Sequence, residues 1–373
     1  MLKVGIVGCG KIADDHCSQI QRIRGSEIVG VCDRELLMAR QLSERFPVKA
    51  YFGDLTQMLS EAQPDVVHVC TPPESHFAIA KKCLETGCHV YVEKPFALCL
   101  DDARILIQLA VRKGLKITAG HDDQFRNAAR RMRALVQDGY LGGGPVHMES
   151  YYCYELGGSG YARALLADKQ HWVRKLPGKL LHNIISHGIA RIAEFITGES
   201  PEVIAYGFTS PALRNRGESE IIDELRVIIS DEECATAYFT FSSQMRPALH
   251  QFRLYGPKNG LILDQDQESL IRLRGKMHVS YAEKFIPPFS FAKQYLGNFR
   301  TNMRSFLNRD FHMKSGMKYL IEAFHNSILE GTPEPIPHRE ILLTAKIMDE
   351  IFRQLDAPRA APFDESMISA VSK

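Results

Sequence analysis

Apolar and polar positions follow two different rhythms along this chain. From residue 1 to about 120, short unbroken apolar runs alternate with stretches of helical period. The runs fall near 3–7, 27–32, 65–70, 88–92 and 115–119, and the helical stretches near 11–23, 35–46, 76–87 and 101–113. Unbroken runs of this length read as strands buried on both faces. Their alternation with helices predicts βαβ units and a parallel sheet. A basic helix over about Arg126–Asp138 follows and is stopped by Gly139. The rhythm then changes to strands at Val146–Tyr154, Glu202–Phe208, Glu224–Ser230, Ala235–Ser242, His250–Tyr255, Gly260–Asp264 and Ser269–Leu273. Several are separated only by turns such as Ser230–Glu233 and Gly256–Gly260, which predicts a large, mostly antiparallel open sheet. Helices near 316–330 and 339–355 close the chain, with Gly331-Thr-Pro-Glu-Pro as the turn between them.

The first strand ends in Gly8-x-Gly10-x-x-Ala13 and runs straight into a helix with Lys11 and Ile12 in its first turn. Gly8 allows the tight turn, Gly10 lets backbone approach a pyrophosphate, and Ala13 lets the helix pack on the strand. The helix N-terminus offers free N–H groups to phosphates. Asp33 closes the second strand, about 20 residues on, where an acid binds the adenosine ribose. This is a dinucleotide-binding fingerprint. Asp33 favours NAD, and the adjacent Arg34 keeps NADP open. The fold class is therefore an α/β Rossmann domain over residues 1–120 and an α+β domain over 121–373 for substrate binding and oligomerisation. The final helices have the option of packing back on the first domain.

Three further segments carry chemistry. Glu93-Lys94-Pro95 follows the fourth strand, at the sheet end that faces a ligand, and Pro95 has the option of a cis bond. Thr71-Pro72-Pro73-Glu74-Ser75-His76 follows the third, with His76 either touching cofactor or capping its helix. His182-Asn183-Ile-Ile-Ser186-His187 opens a helix whose buried face is Ile185, Ile189, Ile192 and Ile196, with Gly198 as its stop. Asn183 and His187 stand four apart on another face, and a neutral imidazole suits a base that takes a hydroxyl proton.

Together these segments resemble the Gfo/Idh/MocA oxidoreductases, the glucose–fructose oxidoreductase and inositol dehydrogenase superfamily. Gly120 through Gly139-x-x-Gly142 and Trp172-Val-Arg174 belong to the same likeness, and the Pro177-Gly178-Lys179 turn that follows departs from it, standing where Gly-Gly-Gly is common. The resemblance implies an oligomer (dimer or tetramer) formed through the open sheet, with Lys94 as active-site lysine and His187 as acid/base. Arg174 would lie near cofactor or substrate. The chain departs from the family pattern at Asn183, where an aspartate is common. An amide cannot support the histidine by charge, so a weaker base is expected. It departs again at His121-Asp122-Asp123-Gln124, where an aromatic/Asn/Arg/Phe run is common.

The candidate catalytic residues are thus Lys94, His187 and Asn183. The candidate cofactor contacts are Gly8, Gly10, Lys11, Ile12, Asp33, Arg34, Thr71, Pro72, His76, Glu93 and Lys94. The candidate substrate contacts are Lys94, Gln124, Tyr151, Trp172, Arg174, Asn183 and His187. No metal is expected. Tyr151, Tyr152 and Tyr154 offer either a stacking face for a sugar ring or strand packing.

The implied reaction is NAD(P)-dependent hydride transfer from a hydroxyl-bearing carbon of a sugar, sugar derivative or nucleotide sugar. Redox-neutral sugar cleavage through transient oxidation is the alternative, and a non-catalytic nucleotide-binding protein is a third class. Net charge is +2 over 373 residues, which argues against a nucleic-acid partner. No apolar run reaches the roughly 20 residues of a membrane span, so no integral membrane association is expected. Nine cysteines without zinc-like spacing, and a first strand in place of a signal peptide, point to the cytoplasm.

Residues 284–318 stand apart. They hold seven Lys or Arg, seven aromatics and one acid, Asp310. Phe299, Asn302 and Phe306, with Arg300 and Arg304, fit an amphipathic basic helix. It reads as a helix packed on the sheet with solvated arginines, as a site for the diphosphate of a nucleotide sugar, or as a membrane-surface helix.

Overall fold

The computed structural model describes residues 1–156, 165–231, 235–275, 281–311 and 314–357. Six parallel strands form the first sheet: β1 (Leu2–Val7), β2 (Ser26–Cys32), β3 (Tyr51–Phe52), β4 (Val66–Val69), β5 (His89–Val92) and β6 (Ile117–Ala119), in the order β3-β2-β1-β4-β5-β6. Strand order reverses direction between β1 and β4, so the loops leaving their C-terminal ends part and open a crevice. The fingerprint, Thr71, Lys94 and Gly120 all leave strands at that edge. β3 and the short helix Leu55–Glu61 were not visible in the apolar pattern, being only two and seven residues long.

Helices cover both faces of this sheet. Leu100–Lys113 illustrates why they form: Ala103, Leu106, Ile107 and Ala110 make its buried stripe, Asp101 and Asp102 sit in its first turn, and Arg112 and Lys113 in its last. Both charge sets complement the helix dipole.

The second sheet has seven strands: β7 (His147–Cys153), β8 (Glu202–Phe208), β9 (Glu224–Ser230), β10 (Thr236–Ser242), β11 (Leu249–Tyr255), β12 (Asn259–Asp264) and β13 (Ser269–Arg274). Their order is β13-β12-β11-β7-β10-β9-β8, antiparallel throughout except for β7 with β10. Glu232 and Glu233 of the turn expected at Ser230–Glu233 lie outside the described residues.

One face of this sheet is packed. Ile185, Ile189, Ile192 and Ile196 share a core with Val227, Phe239 and Phe241, as the helical spacing of the isoleucines requires. That segment is two helices, Lys179–Ile184 and Ser186–Ala193, and it ends before Gly198. Gly198 is needed for another reason: a Cβ there would run into the Asp231 carboxylate, which accepts the Gly198 amide at 2.8 Å. The helix Ser315–Glu330 packs back on the first sheet through Met317, Leu320, Ile321 and Phe324. The last helix, His338–Asp356, joins the second core through Leu343, Ile347 and Ile351. Among the described residues no helix is long and apolar enough to cross a membrane.

Candidate active site

The loop after β1 has the geometry its glycines require. Gly8 has φ +89°, and a Cβ there would lie 2.7 Å from the Thr71 backbone nitrogen and methyl group. Nothing lies within 4 Å of where a Gly10 Cβ would be, at the N-terminus of the helix Lys11–Ile20. This leaves open space at a helix N-terminus, where a pyrophosphate can approach the backbone N–H groups. Asp33 holds the loop from below: its carboxylate accepts the Cys9 amide at 2.8 Å and the Glu35 amide at 2.9 Å. The remaining carboxylate lone pairs suit ribose hydroxyls, so the residues present fit a dinucleotide. Arg34, beside it, is exposed.

His76 plays a different part from either one expected of it. Its ring nitrogens face the carbonyl oxygens of Pro95 (2.9 Å) and Thr71 (2.8 Å), so this buried ring sits between the loop after β4 and the loop after β5 and, when neutral, donates to one of them. The Lys94–Pro95 bond in the second loop is cis.

Lys94 is half-buried, and its ammonium donates to the Asn183 carbonyl at 3.1 Å. That bond links β5 to the helix Lys179–Ile184, so Lys94 and Asn183 meet through backbone. Burial lowers the Lys94 pKa, against Glu93, Asp122 and Asp123, which raise it. Gly188 lets the helix of His187 sit against the sheet: a Cβ there would lie 2.4 Å from the Phe239 ring. His187 is thereby delivered to the loop after β6. Its Nδ1 lies 3.7 Å from Asp123 and 4.0 Å from Asp122.

These acids correct the sequence expectation. Asn183 removes one carboxylate near the histidine, and His121-Asp122-Asp123 brings two others from a different element. The departure from the family pattern at His121-Asp122-Asp123 thus lies at the imidazole, while the Asn183 carbonyl holds Lys94. Burial drives the His187 pKa down to about 4, and Asp123 opposes that fall. Asp123 is itself held down, despite burial, by His187, Arg191 and Arg126. Burial and its two acidic neighbours, Asp123 and Glu93, push Asp122 up. The site thus holds one firmly ionised and one reluctant carboxylate. The three side chains have ligand atoms within 4.8 Å of one another, but Arg126 and Arg191 already balance their charge.

Tyr152, not Tyr151, faces this group. Its ring stacks on His187 with centroids 5.9 Å apart. Successive residues of β7 point to opposite faces, and Tyr151 bonds Glu149 at 2.9 Å on the other one. Arg174 is spent on a buried ion pair with Glu218 at 2.6 Å and on the Leu165 carbonyl. Trp172 stacks on His171 and packs against the second core. Gln124 donates to Glu194 and the Ala190 carbonyl, supporting the His187 helix from behind. Sequence reasoning also missed Lys314, which pairs with Asp15 at 3.1 Å and is raised by that charge and by Asp122, against burial.

Behind Lys94 runs a buried polar chain. Glu93 meets His16 Nε2 at 2.9 Å, His16 Nδ1 meets His68 Nδ1 at 2.8 Å, His68 Nε2 meets His325 Nε2 at 3.0 Å, and His325 Nδ1 meets Ser26 at 2.8 Å. With Glu93 ionised, one neutral tautomer per ring satisfies every link. Burial raises the Glu93 carboxyl, and the His16 and Lys94 contacts outweigh it, leaving it at about 2.

Residues 2–121 match the profile of the GFO_IDH_MocA oxidoreductase family, NAD-binding Rossmann fold. D-glucoside 3-dehydrogenase of Escherichia coli is 34% identical over 142 residues, 38% of this chain and 40% of that relative. The alignment therefore spans less than half of that curated relative. Two solved structures share the fold across nearly the whole chain. UDP-N-acetylglucosamine 3-dehydrogenase of Acidithiobacillus ferrooxidans has a TM-score of 0.71 at 19% identity, covering 94% of this chain and 97% of that one. The WlbA dehydrogenase of Bordetella pertussis, in complex with NADH and UDP-GlcNAcA, has a TM-score of 0.74 at 17% identity, covering 97% and 98%.

Proposed function

We propose that this chain, whose residues 2–121 match the Gfo/Idh/MocA oxidoreductase profile, is a member of that family and oxidises a CH–OH group of a sugar or nucleotide sugar with NAD. The observation that carries this reading is that Lys94 and Asp123 both act on His187 at the sheet edge from which the Gly8–Gly10 loop also leaves. Bound NAD supplies the hydride acceptor. His187 Nδ1 is turned to the acids, which leaves Nε2 to take the hydroxyl proton. Burial keeps that imidazole neutral, and Asp123 stabilises the imidazolium once it forms. Lys94, held by Asn183, donates to the substrate oxygen and offsets the charge that develops there. Tyr152 offers the ring face beside the histidine.

The related dehydrogenases named for glucosides and UDP-sugars support a sugar-type substrate. The test is NADH absorbance when the protein meets NAD and a panel of free sugars, sugar acids, inositols and nucleotide sugars. Growth with one member names the substrate class. NADH growth with none of them, on protein shown to bind NAD, rejects the reading.

A second reading, redox-neutral sugar cleavage, is favoured by Asp122. Its raised carboxyl gives the site a second acid/base group, which an elimination step needs. Product formation without NADH accumulation would select it. We assign a second copy of the chain to the outward face of the second sheet, where Ile204, Tyr206, Ile228 and Tyr238 are exposed side by side on β8, β9 and β10. The eight described cysteines are all free, which suits the cytoplasm.

A further inference from the structure

The helix Ala282–Leu307 is polar inside and apolar outside. Its inner side carries Gln294, Asn298 and Asn302, four residues apart and so on one face. Gln294 accepts the Arg272 amide at 2.8 Å and donates to the Arg272 carbonyl at 3.1 Å. Asn298 does the same for Leu270, at 3.2 and 3.0 Å, and Asn302 donates to the Gln267 carbonyl at 2.9 Å. Side-chain amides thus pair with the free edge of β13 and its preceding turn, groups that would otherwise template another strand. Apolar packing does not hold this helix in place.

The outer side is the reverse. Phe285, Phe289, Leu296, Phe299, Phe306 and Leu307 are 58–73% exposed. Lys293, Arg300 and Arg304 run along one flank of that stripe, and no acidic residue occurs from Lys284 to Arg309. The groove beside the basic flank adds Arg131 and Arg272 to Lys293. Burial and the neighbouring Arg272 charge both lower the Arg131 pKa, against Glu268, and with Asp138 as the one acid in the groove lining its charge is net positive. The helix is about 39 Å long at 1.5 Å per residue.

We propose that this helix lies on an anionic phospholipid surface, with its aromatic stripe in the headgroup–acyl boundary and its basic flank on the lipid phosphates. An apolar stripe and a basic flank are the two signals that stable peripheral attachment needs. A second copy fits the face less well. Antiparallel pairing about a two-fold axis sets Lys293, Arg300 and Arg304 against the same residues of the other copy.

The experiment is co-sedimentation of the full chain with phosphatidylcholine vesicles, with and without phosphatidylglycerol, beside light scattering of the chain alone. The expected result is binding to the anionic vesicles only, lost at high salt. Each basic residue at such a surface contributes about fivefold in partition, so Arg300→Glu with Arg304→Glu should lower binding roughly 25-fold or more. Phe289→Ser with Phe299→Ser should also abolish it, while leaving NAD binding and molecular mass unchanged. The arginine pair keeps the test decisive if the serine pair folds poorly. No sedimentation with either vesicle, or equal binding to both, overturns the proposal. A drop in molecular mass of the serine variant also overturns it, in favour of a second copy.

Discussion

The crevice around His187 and the helix Ala282–Leu307 both break the rule that apolar groups go inside, and they break it in opposite senses. The crevice buries Glu93 and largely encloses Lys94, Asp122, Asp123 and His187, and the helix exposes a stripe of aromatics. The buried charges answer one another within a few ångströms: Glu93 has His16, Asp123 has Arg126 and Arg191, and Lys94 has the Asn183 carbonyl. The cost of burying each is offset inside the molecule, and the result is a set of tuned acids and bases. The exposed aromatics are left uncovered, with Phe289 meeting the Lys293 ammonium 4.6 Å above its ring and the stripe otherwise open. A violation that is balanced internally reads as chemistry, and one left unbalanced reads as a surface for something else.

The largest effect should come from unbalancing the crevice. Lys94→Ala removes the donor to the substrate oxygen and leaves the Gly8–Gly10 loop alone. Turnover is expected to fall about 10²–10³-fold with NAD affinity nearly unchanged. Steady-state kinetics with a titration of NAD fluorescence quenching would check both halves. Near-normal turnover would remove Lys94 from the mechanism.

The helix offers a sharper contrast between adjacent residues. Asn298→Ala strips both hydrogen bonds from buried Leu270 backbone and should cost about 2–3 kcal/mol. Phe299→Ser, one residue on and exposed, should cost within about 0.5 kcal/mol. Urea unfolding of the two variants tests the inverted polarity directly. In an ordinary amphipathic helix the two costs would be exchanged.

How much of this was legible beforehand follows from the same contrast. All seven strands of the second sheet could be read, because a half-buried strand writes its period in the sequence. The fingerprint was readable because only glycine fits where Gly8 stands. Asp122 and Asp123 were visible only as departures from a family pattern. Their meeting with His187 depends on the packing of Gly188 against Phe239, which no local spacing encodes. The role of Arg174 was misplaced for a similar reason: its partner Glu218 lies 44 residues away in sequence. The long helix was legible only around Phe299–Phe306, because its stripe faces away from the core and Pro287 and Pro288 interrupt the pattern before it.

Asp123→Asn keeps shape and removes charge from beside His187. Turnover should fall about tenfold, since the imidazolium loses its counter-charge. Asp123 raises the His187 pKa, so its loss should move the acid limb of the pH–rate profile to lower pH. An unmoved limb would assign the titrating group elsewhere. The histidine chain behind the site predicts a stability effect of similar size. Burial and the nearby His16 lower His325 to about 3. Below about 6.5 the unfolded chain takes a proton there that the fold refuses, so stability is lost as pH falls from about 6.5 toward 3. His325→Leu should therefore flatten the pH dependence of stability by about 1.4 kcal/mol per unit in that window. Unchanged slope would mean that the ring is charged in the fold.

The smallest expected effect is the most specific. Tyr151 and Tyr152 are neighbours on β7, and pleating alone decides which one belongs to the crevice. Tyr151→Phe removes a hydroxyl that bonds Glu149 on the far face of the sheet and should leave kcat and KM within error. Tyr152→Leu removes the ring stacked on His187 and should raise KM several-fold with a smaller change in kcat. A substrate that stacks on Tyr151 instead would have to bind on the face assigned here to a second copy. A KM effect at Tyr151 would then move both the substrate and the interface.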